Sequence, residues 1–244
     1  HINHSISPHA QSWEEHCQTF CSARNIPLIC KAIKVDGTKS GLESAARQGR
    51  YEMFQQNIKS GDQLLLAHHA DDVAETLMFR LFRGTGIDGL KGPLQQRQLG
   101  EGVLLRPWLE YPKRTLVAYL KDRDLSYIED ESNARNDQDR NFIRNEVLPL
   151  IAQRWPQAAS QMQQTSHLIT KHLVAQETLM SMQFGEDLSE LSLSLTFLKN
   201  LDSETCDEVL RHWIKKNNIA VPSKKFFMKL IKLLSNLSPH PRLA

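Results

Sequence analysis

The stretch AHHADDVAET, residues 67 to 76, gathers two histidines, two aspartates and a glutamate directly behind the apolar run Leu64-Leu65-Leu66. Carboxylates this dense have two chemistries open to them. They can hold magnesium on the phosphates of a nucleotide, or they can bind an ammonium group through their negative field. On a helix turning about 100° per residue, Ala74, Leu77, Met78, Leu81 and Phe82 fall on one apolar stripe, with Asp72, Glu75, Thr76 and Arg83 opposite. The polar face is therefore expected to point away from the core, with His68 one turn before Asp72 and able to reach the same space. The plainer reading is that Asp71 or Asp72 caps the helix, Glu75 favours its dipole, and the histidines are loop residues.

Five further groups have the residue types for anion or substrate contact. Arg83-Gly84-Thr85-Gly86 offers backbone with little side-chain bulk, although Gly84 also suits a helix C-terminus. Arg47 and Arg50 lie three apart beside Ala45, Ala46 and Gly49, small residues that permit close helix packing. Arg140 and Arg144 share a helix face with Val147, Leu148 and Ile151 on the apolar side, and Arg106-Pro107 is a weaker candidate. From Thr205 to the end there are eight Lys or Arg against two acids, including Arg211, Lys215, Lys216, Lys224, Lys225, Lys229 and Lys232. Such a basic tail suits a polyanion, and equally a solvated helix face.

The elements that must position these groups alternate in the first half. Ser12 to Glu15 reads as a capping box opening a helix with Trp13, Cys17, Phe20 and Cys21 on its core face, ended by Asn25 and Pro27. A strand is expected over 27–35, a helix over 42–58, a short strand buried on both faces over 63–67, and a helix over 71–82. Strands and helices in turn imply a parallel sheet covered by helices, with ligands beyond the carboxyl ends of its strands. Residues 67 to 72 occupy such an end. After Trp155-Pro156 a long helix is expected over 158–184, stopped by Gly185. The alternation of Leu191, Leu193, Leu195 and Phe197 reads as a strand, and two helices follow. This second part is taken as a smaller domain.

Composition excludes other classes. The chain has 244 residues, 40% of them hydrophobic, a net charge of +2, and no apolar run near the roughly 20 residues of a membrane span. The first residues are not a signal sequence, so a cytoplasmic location is expected. Cys17, Cys21, Cys30 and Cys206 show no C-x-x-C pair and no zinc spacing.

Five segments in order carry a family resemblance: HINH; LESAARQGRYEMF; LLLAHHADDVAETLMFRLFRGTGIDGL; LLRPWLEYPKRTL; and YIEDESNARNDQDRNFIRNEVLPLI. The chain resembles the tRNA(Ile)-lysidine synthases of the PP-loop ATP pyrophosphatase group. The resemblance covers about residues 1 to 155 with high specificity and the remainder with less. It implies an α/β fold: a parallel-sheet, Rossmann-like PP-loop domain over 1–155, a helical linker over 156–185, and a tRNA-binding subdomain over 186–244. The family's S-G-G-x-D-S phosphate loop has no counterpart here, and the expectation is a piece of a longer protein, inactive by itself.

The activity implied is ATP-dependent adenylation of the wobble cytidine of a CAU-anticodon tRNA(Ile), then attack of free L-lysine on C2, in a bacterial cytoplasm. The cofactors implied are ATP and Mg2+. Asp72, Glu75, His68 and Arg47 are the implied catalytic residues, with Asp72 and Glu75 receiving the ammonium groups of lysine. Asp71, Arg83, Gly84, Gly86, Arg140, Asn141 and Arg144 would contact substrate, Asp71 also the metal. Arg211, Lys215, Lys216, Lys224 and Lys225 would contact tRNA phosphates, and a homodimer is kept among the partners. Asp72→Asn and Glu75→Gln are expected to spare the fold. Another PP-loop tRNA-modifying enzyme is the near alternative, although thiolases of that group use paired cysteines. A non-catalytic RNA-binding descendant is the distant one.

Overall fold

The computed structural model describes residues 1–34, 42–185, 188, 192–217, 219 and 224–236. By compactness the chain divides into His1–His167 and Leu168–Ala244. The division falls inside a long helix.

The first unit opens with β1 (Ile2–Asn3), α1 (Ala10–Ser22) and β2 (Lys31–Ala32), followed by α2 (Leu42–Asn57) and β3 (Gln63–Leu65). β1 and β2 pair in parallel, Ile2 against Lys31. Next come α3 (Ala70–Phe82), α4 (Ile87–Leu90), β4 (Gln96–Leu99), β5 (Gly102–Leu105) and α5 (Lys113–Asp122). β5 is the centre of a three-stranded sheet in the order β3-β5-β4, parallel to β3 and antiparallel to β4. The parallel pairs and covering helices are the α/β architecture expected. The β4–β5 hairpin is an addition. Its two-residue turn has Gly100 at φ +54, where a left-handed first position matches the strand twist.

Several boundaries differ from expectation. α1 begins at Ala10 with His9 at its N-cap, and the Ser12 hydroxyl donates to the His9 carbonyl instead of capping forward. Asn25 adopts φ +52 beyond its end. α1 buries none of its residues fully, so Cys17 and Cys21 are half-buried and not core. The strand expected over 27–35 contracts to Lys31–Ala32, with Val35 outside the described residues. β3 is not buried on both faces, because it lies at the edge of its sheet and Leu65 is 62% exposed. The apolar stripe of α3 likewise stops early: Val73, Ala74, Leu77 and Met78 are buried, whereas Phe82 is 67% exposed.

Two glycines carry close approaches. A Cβ on Gly49 would lie 3.0 Å from Ile33 Cδ1, so the small-residue face of α2 does pack closely. One on Gly102 would lie 2.6 Å from Ile58 Cγ1 and 2.7 Å from the Asp62 carbonyl oxygen.

A 3-10 turn (Glu131–Ala134) precedes α6 (Asp139–Phe142), a π turn (Ile143–Val147) and α7 (Leu148–Arg154). Pro149 has no N–H for the carbonyl four residues back, which loosens the helical ladder where the π turn forms. α8 (Ala158–Phe184) follows as expected.

In the second unit, α9 (Leu195–Lys199) replaces the strand expected from the leucine alternation. The Ser194 side chain accepts from the Phe197 N–H, and that cap outweighs a four-residue pattern. Leu191 lies outside the described residues. α10 (Ser203–Lys216) is capped by Asp202, which accepts from Glu204 and Thr205 N–H, and α11 (Lys224–Asn236) follows. Cys206, Val209, Leu210 and Ile214 recur at helical spacing and join Phe184, Leu198 and Phe227 in one apolar cluster.

Candidate functional site

β3 and β5 run parallel with Leu65 opposite Leu105, so the residues that follow them emerge at the same end. Those residues are His68 on one side and Arg106 on the other. α3 starts there too: His69 is its N-cap, its backbone N–H donates to Asp72 Oδ2 at 3.0 Å, and the Ala70 N–H donates to the Tyr111 carbonyl. Asp72 is thus the acid at the third helical position, closing the cap and favouring the positive end of the dipole.

Glu75, expected on the open polar face, is 1% exposed. Its carboxylate accepts two parallel bonds from Arg144, Nε to Oε1 and Nη2 to Oε2, each 2.7 Å. Arg140 Nε adds a third to Oε2 at 3.2 Å, and its Nη2 donates to Thr76 Oγ1 at 3.3 Å. A buried carboxylate is tolerable only when paired and hydrogen-bonded in this manner. The sequence put both arginines on one helix face; it did not say that their shared partner is the glutamate on α3.

A second layer holds the arginines. Arg144 Nη1 donates to Asn133 Oδ1 at 3.0 Å, Asn145 Nδ2 to the Asn133 carbonyl at 2.8 Å, and Asn141 Nδ2 to the Ser132 carbonyl at 3.0 Å. The 3-10 turn is thereby laced to the helix that follows. Between it, α3 and the start of α5 lies a cavity of about 990 Å3, lined among others by His69, Asp71, Glu75, Lys113, Tyr127, Glu129 and Arg144. That volume suits a small-molecule ligand.

Asp71 faces this cavity, and its Oδ2 accepts from the Lys113 N–H at 2.7 Å while lying 3.6 Å from His69 Nδ1. Among the described residues no group of three or more His, Cys, Asp or Glu could hold a metal. These residues alone do not fit a resident magnesium ion. Asp72 does not line the cavity; its Oδ1 is 3.9 Å from Arg144 Nη2.

On the His68 side, Arg106 Nε donates to His68 Nδ1 at 3.2 Å, Nη2 to the Tyr51 hydroxyl at 3.3 Å and Nη1 to the Leu94 carbonyl at 2.7 Å. Arg47 donates to the same hydroxyl at 3.4 Å, and Arg47 and Arg97 each lie 5.0 Å from the Tyr51 ring centre. This crowd of cations holds the Tyr51 hydroxyl below its ordinary range even though burial opposes the shift. Burial, then Arg106, Arg47 and Arg140, lower the pKa of His68, against which Asp72 acts. Tyr51 and Arg97 were missed at the sequence level. Tyr51 lies one turn after Arg47, which is the signal that could have found it.

The remaining candidates are not gathered here. Gly84 has φ +71 just after α3 and ends it, Gly86 is the N-cap of α4, and Arg83 lies over the Phe79 ring; none lines the cavity. Arg50 meets His4, 3.3 Å away. In the second unit Arg211 is paired with Asp207 at 2.7 Å and lies 4.1 Å from the Phe227 ring centre, and Lys216 Nζ donates to the Leu188 carbonyl. Lys215 is in the last turn of α10, and Lys224 and Lys225 open α11, their side chains outside the described residues.

A parallel α/β layer with its charged residues beyond the strands' carboxyl ends defines an α/β protein with a ligand site expected at that end, and residues 1–151 match the PP-loop domain. The chain belongs to the PP-loop family. It is similar to the tRNA(Ile)-lysidine synthase of Legionella pneumophila (strain Lens), 37% identical over 232 residues, covering 95% of this chain and 54% of that protein. It is also similar to the tRNA(Ile)-lysidine synthases of Haemophilus ducreyi, 34% identical with 100% and 58% covered, and Serratia proteamaculans, 35% identical with 94% and 53% covered. The chain spans about half the length of these relatives. Among the described residues no helix is long and apolar enough to cross a membrane.

Proposed function

We propose that this chain carries the amino-acid-receiving part of a tRNA(Ile)-lysidine synthetase. ATP adenylates O2 of cytidine 34 in the CAU anticodon of tRNA(Ile), releasing diphosphate. The side-chain amine of free L-lysine then attacks C2 and expels AMP, leaving lysidine. The adenylate matters because a ring carbonyl oxygen is otherwise a poor leaving group. The observation that carries the reading is the node of Asp72, Glu75, Arg140 and Arg144 at the carboxyl end of parallel strands, in a chain whose relatives bear that name.

The geometry supports the following roles. Glu75 is saturated by guanidinium groups, so it aligns Arg140 and Arg144 and leaves the ammonium groups of lysine to Asp72 and Asp71. Arg140 and Arg144 present positive charge to the carboxylate of the amino acid or to nucleotide phosphate. Arg47 and His68 contact the nucleotide side. Magnesium would arrive with the phosphates, since this ion is commonly held by few carboxylates and several phosphate oxygens, and no step is assigned to it. Surface lysines of α10 and α11 contribute tRNA affinity more than sequence choice.

The test is mass spectrometry of tRNA nucleosides from cells with and without the gene. Loss of lysidine on deletion supports the proposal; undiminished lysidine sinks it.

A further inference from the structure

Arg106 is 3% exposed, and the strongest group opposing the effect of its burial is the Tyr51 hydroxyl and not a carboxylate. A guanidinium buried without a counter-ion is costly and calls for a reason. Its N–H groups go to the Leu94 carbonyl, the Tyr51 hydroxyl and Nδ1 of His68. The last of these constrains the imidazole. Arginine does not lose its proton in a protein, so Nδ1 must be the acceptor, and a neutral ring then carries its hydrogen on Nε2. Protonating the ring would set one N–H against another.

The surroundings act in the same sense. Burial, Arg106 on the strand side, Arg47 on α2 and Arg140 on α6 all disfavour the charged ring, with Asp72 on α3 opposing them. Nε2 has no hydrogen-bond partner among the described residues, yet it is not among the sealed, unpaired nitrogens, which are Nδ1 of His4 and of His69. It is open to a ligand.

We propose that Arg106 is a positioning residue that holds His68 as the neutral Nε2–H tautomer, so that His68 meets the substrate as a hydrogen-bond donor and not as a proton acceptor. Its ligand is an oxygen acceptor of the nucleotide or the base being modified. The role rests on the functional reading given above, in which this end of the sheet meets the nucleotide.

Long-range proton–nitrogen spectra of the histidine-labelled chain, with His68 assigned by its absence in His68→Gln, test the inference. At pH 7 the ring is expected neutral, protonated on Nε2, with a titration midpoint below 6.5. Arg106→Met removes charge and donors, and is expected to mix the tautomers and raise the midpoint by about one pH unit. Arg106→Lys should recover part of the effect. A ring protonated on Nδ1, or charged at pH 7, in the unsubstituted chain overturns the inference, and so does an Arg106→Met spectrum with tautomer and midpoint unchanged. The unsubstituted spectrum decides the tautomer even where Arg106→Met fails to fold.

In ligation assays of the full-length protein, His68→Gln, a donor but no base, should retain more activity than His68→Ala; equal loss excludes the donor role. Absent ligation by the full-length unsubstituted protein counts against the functional reading, whereas the ring spectrum judges this inference.

Discussion

Arg144 grips Glu75 through two parallel hydrogen bonds of 2.7 Å, joining a π turn to a helix 69 residues earlier in the chain. This places the central acid of the site inside the protein instead of on its open face.

Glu75→Gln should therefore weaken the fold as well as the activity. Removing one partner of a buried pair typically costs about 3–5 kcal/mol, and the lower end applies because Arg140 and Arg144 keep 33% and 28% of their side chains in water. Urea denaturation of the variant checks this. An unchanged midpoint would show that the pair contributes little.

Asp72→Asn should separate stability from function. An asparagine can still accept from the His69 N–H, so the stability should fall by less than about 1 kcal/mol. Loss of a charged contact to an ammonium group should lower lysine incorporation by about tenfold to a hundredfold. Incorporation of labelled lysine into tRNA by the full-length protein is the measurement.

Acid should destabilise the first unit through His68 and His4, whose pKa values the fold lowers, mainly by burial. The unfolded chain then binds protons that the folded one refuses. Stability from these groups is whole above the ordinary value of 6.5 and is lost as pH falls from there through their folded values. Denaturant midpoints measured between pH 7.5 and 5, against His68→Gln, should show the variant to be less pH-dependent.

Gly102→Ala should cost about 1–3 kcal/mol, because its Cβ would meet the Ile58 side chain and, less avoidably, the Asp62 carbonyl oxygen. A thermal unfolding comparison is enough to test it.

Arg211→Ala should lower the stability of the second unit by about 1 kcal/mol, since its guanidinium covers Phe227 and pairs with Asp207. A circular dichroism melt tests this. A variant that keeps its melting temperature and loses only tRNA binding would restore Arg211 to the phosphate contacts.

α2 and α3 were legible because periodicity is local, and they lie within a residue of where the pattern puts them; α4 and α5 were not foreseen. The hairpin at Gly100 was signalled by glycines flanking Glu101 between short strands, but the parallel pattern around it hid the signal. α9 was misread because one serine cap outweighed an alternation of leucines. The site was legible as residue types and not as partnerships. Glu75 with Arg144, and His68 with Arg106, are contacts between residues dozens of positions apart, which helical wheels cannot reveal.

The π turn at Ile143–Val147 makes this stretch intolerant of changes in length. Each residue of an ordinary helix advances its side chain by about 100° around the axis, so trimming one residue here would restore the regular winding and swing everything on one side of the cut to a different bearing. The two arginines before the cut and α7 after it could not then both keep their present bearings. Homologous genes that keep this node should therefore vary in letters across the segment while holding its residue count constant.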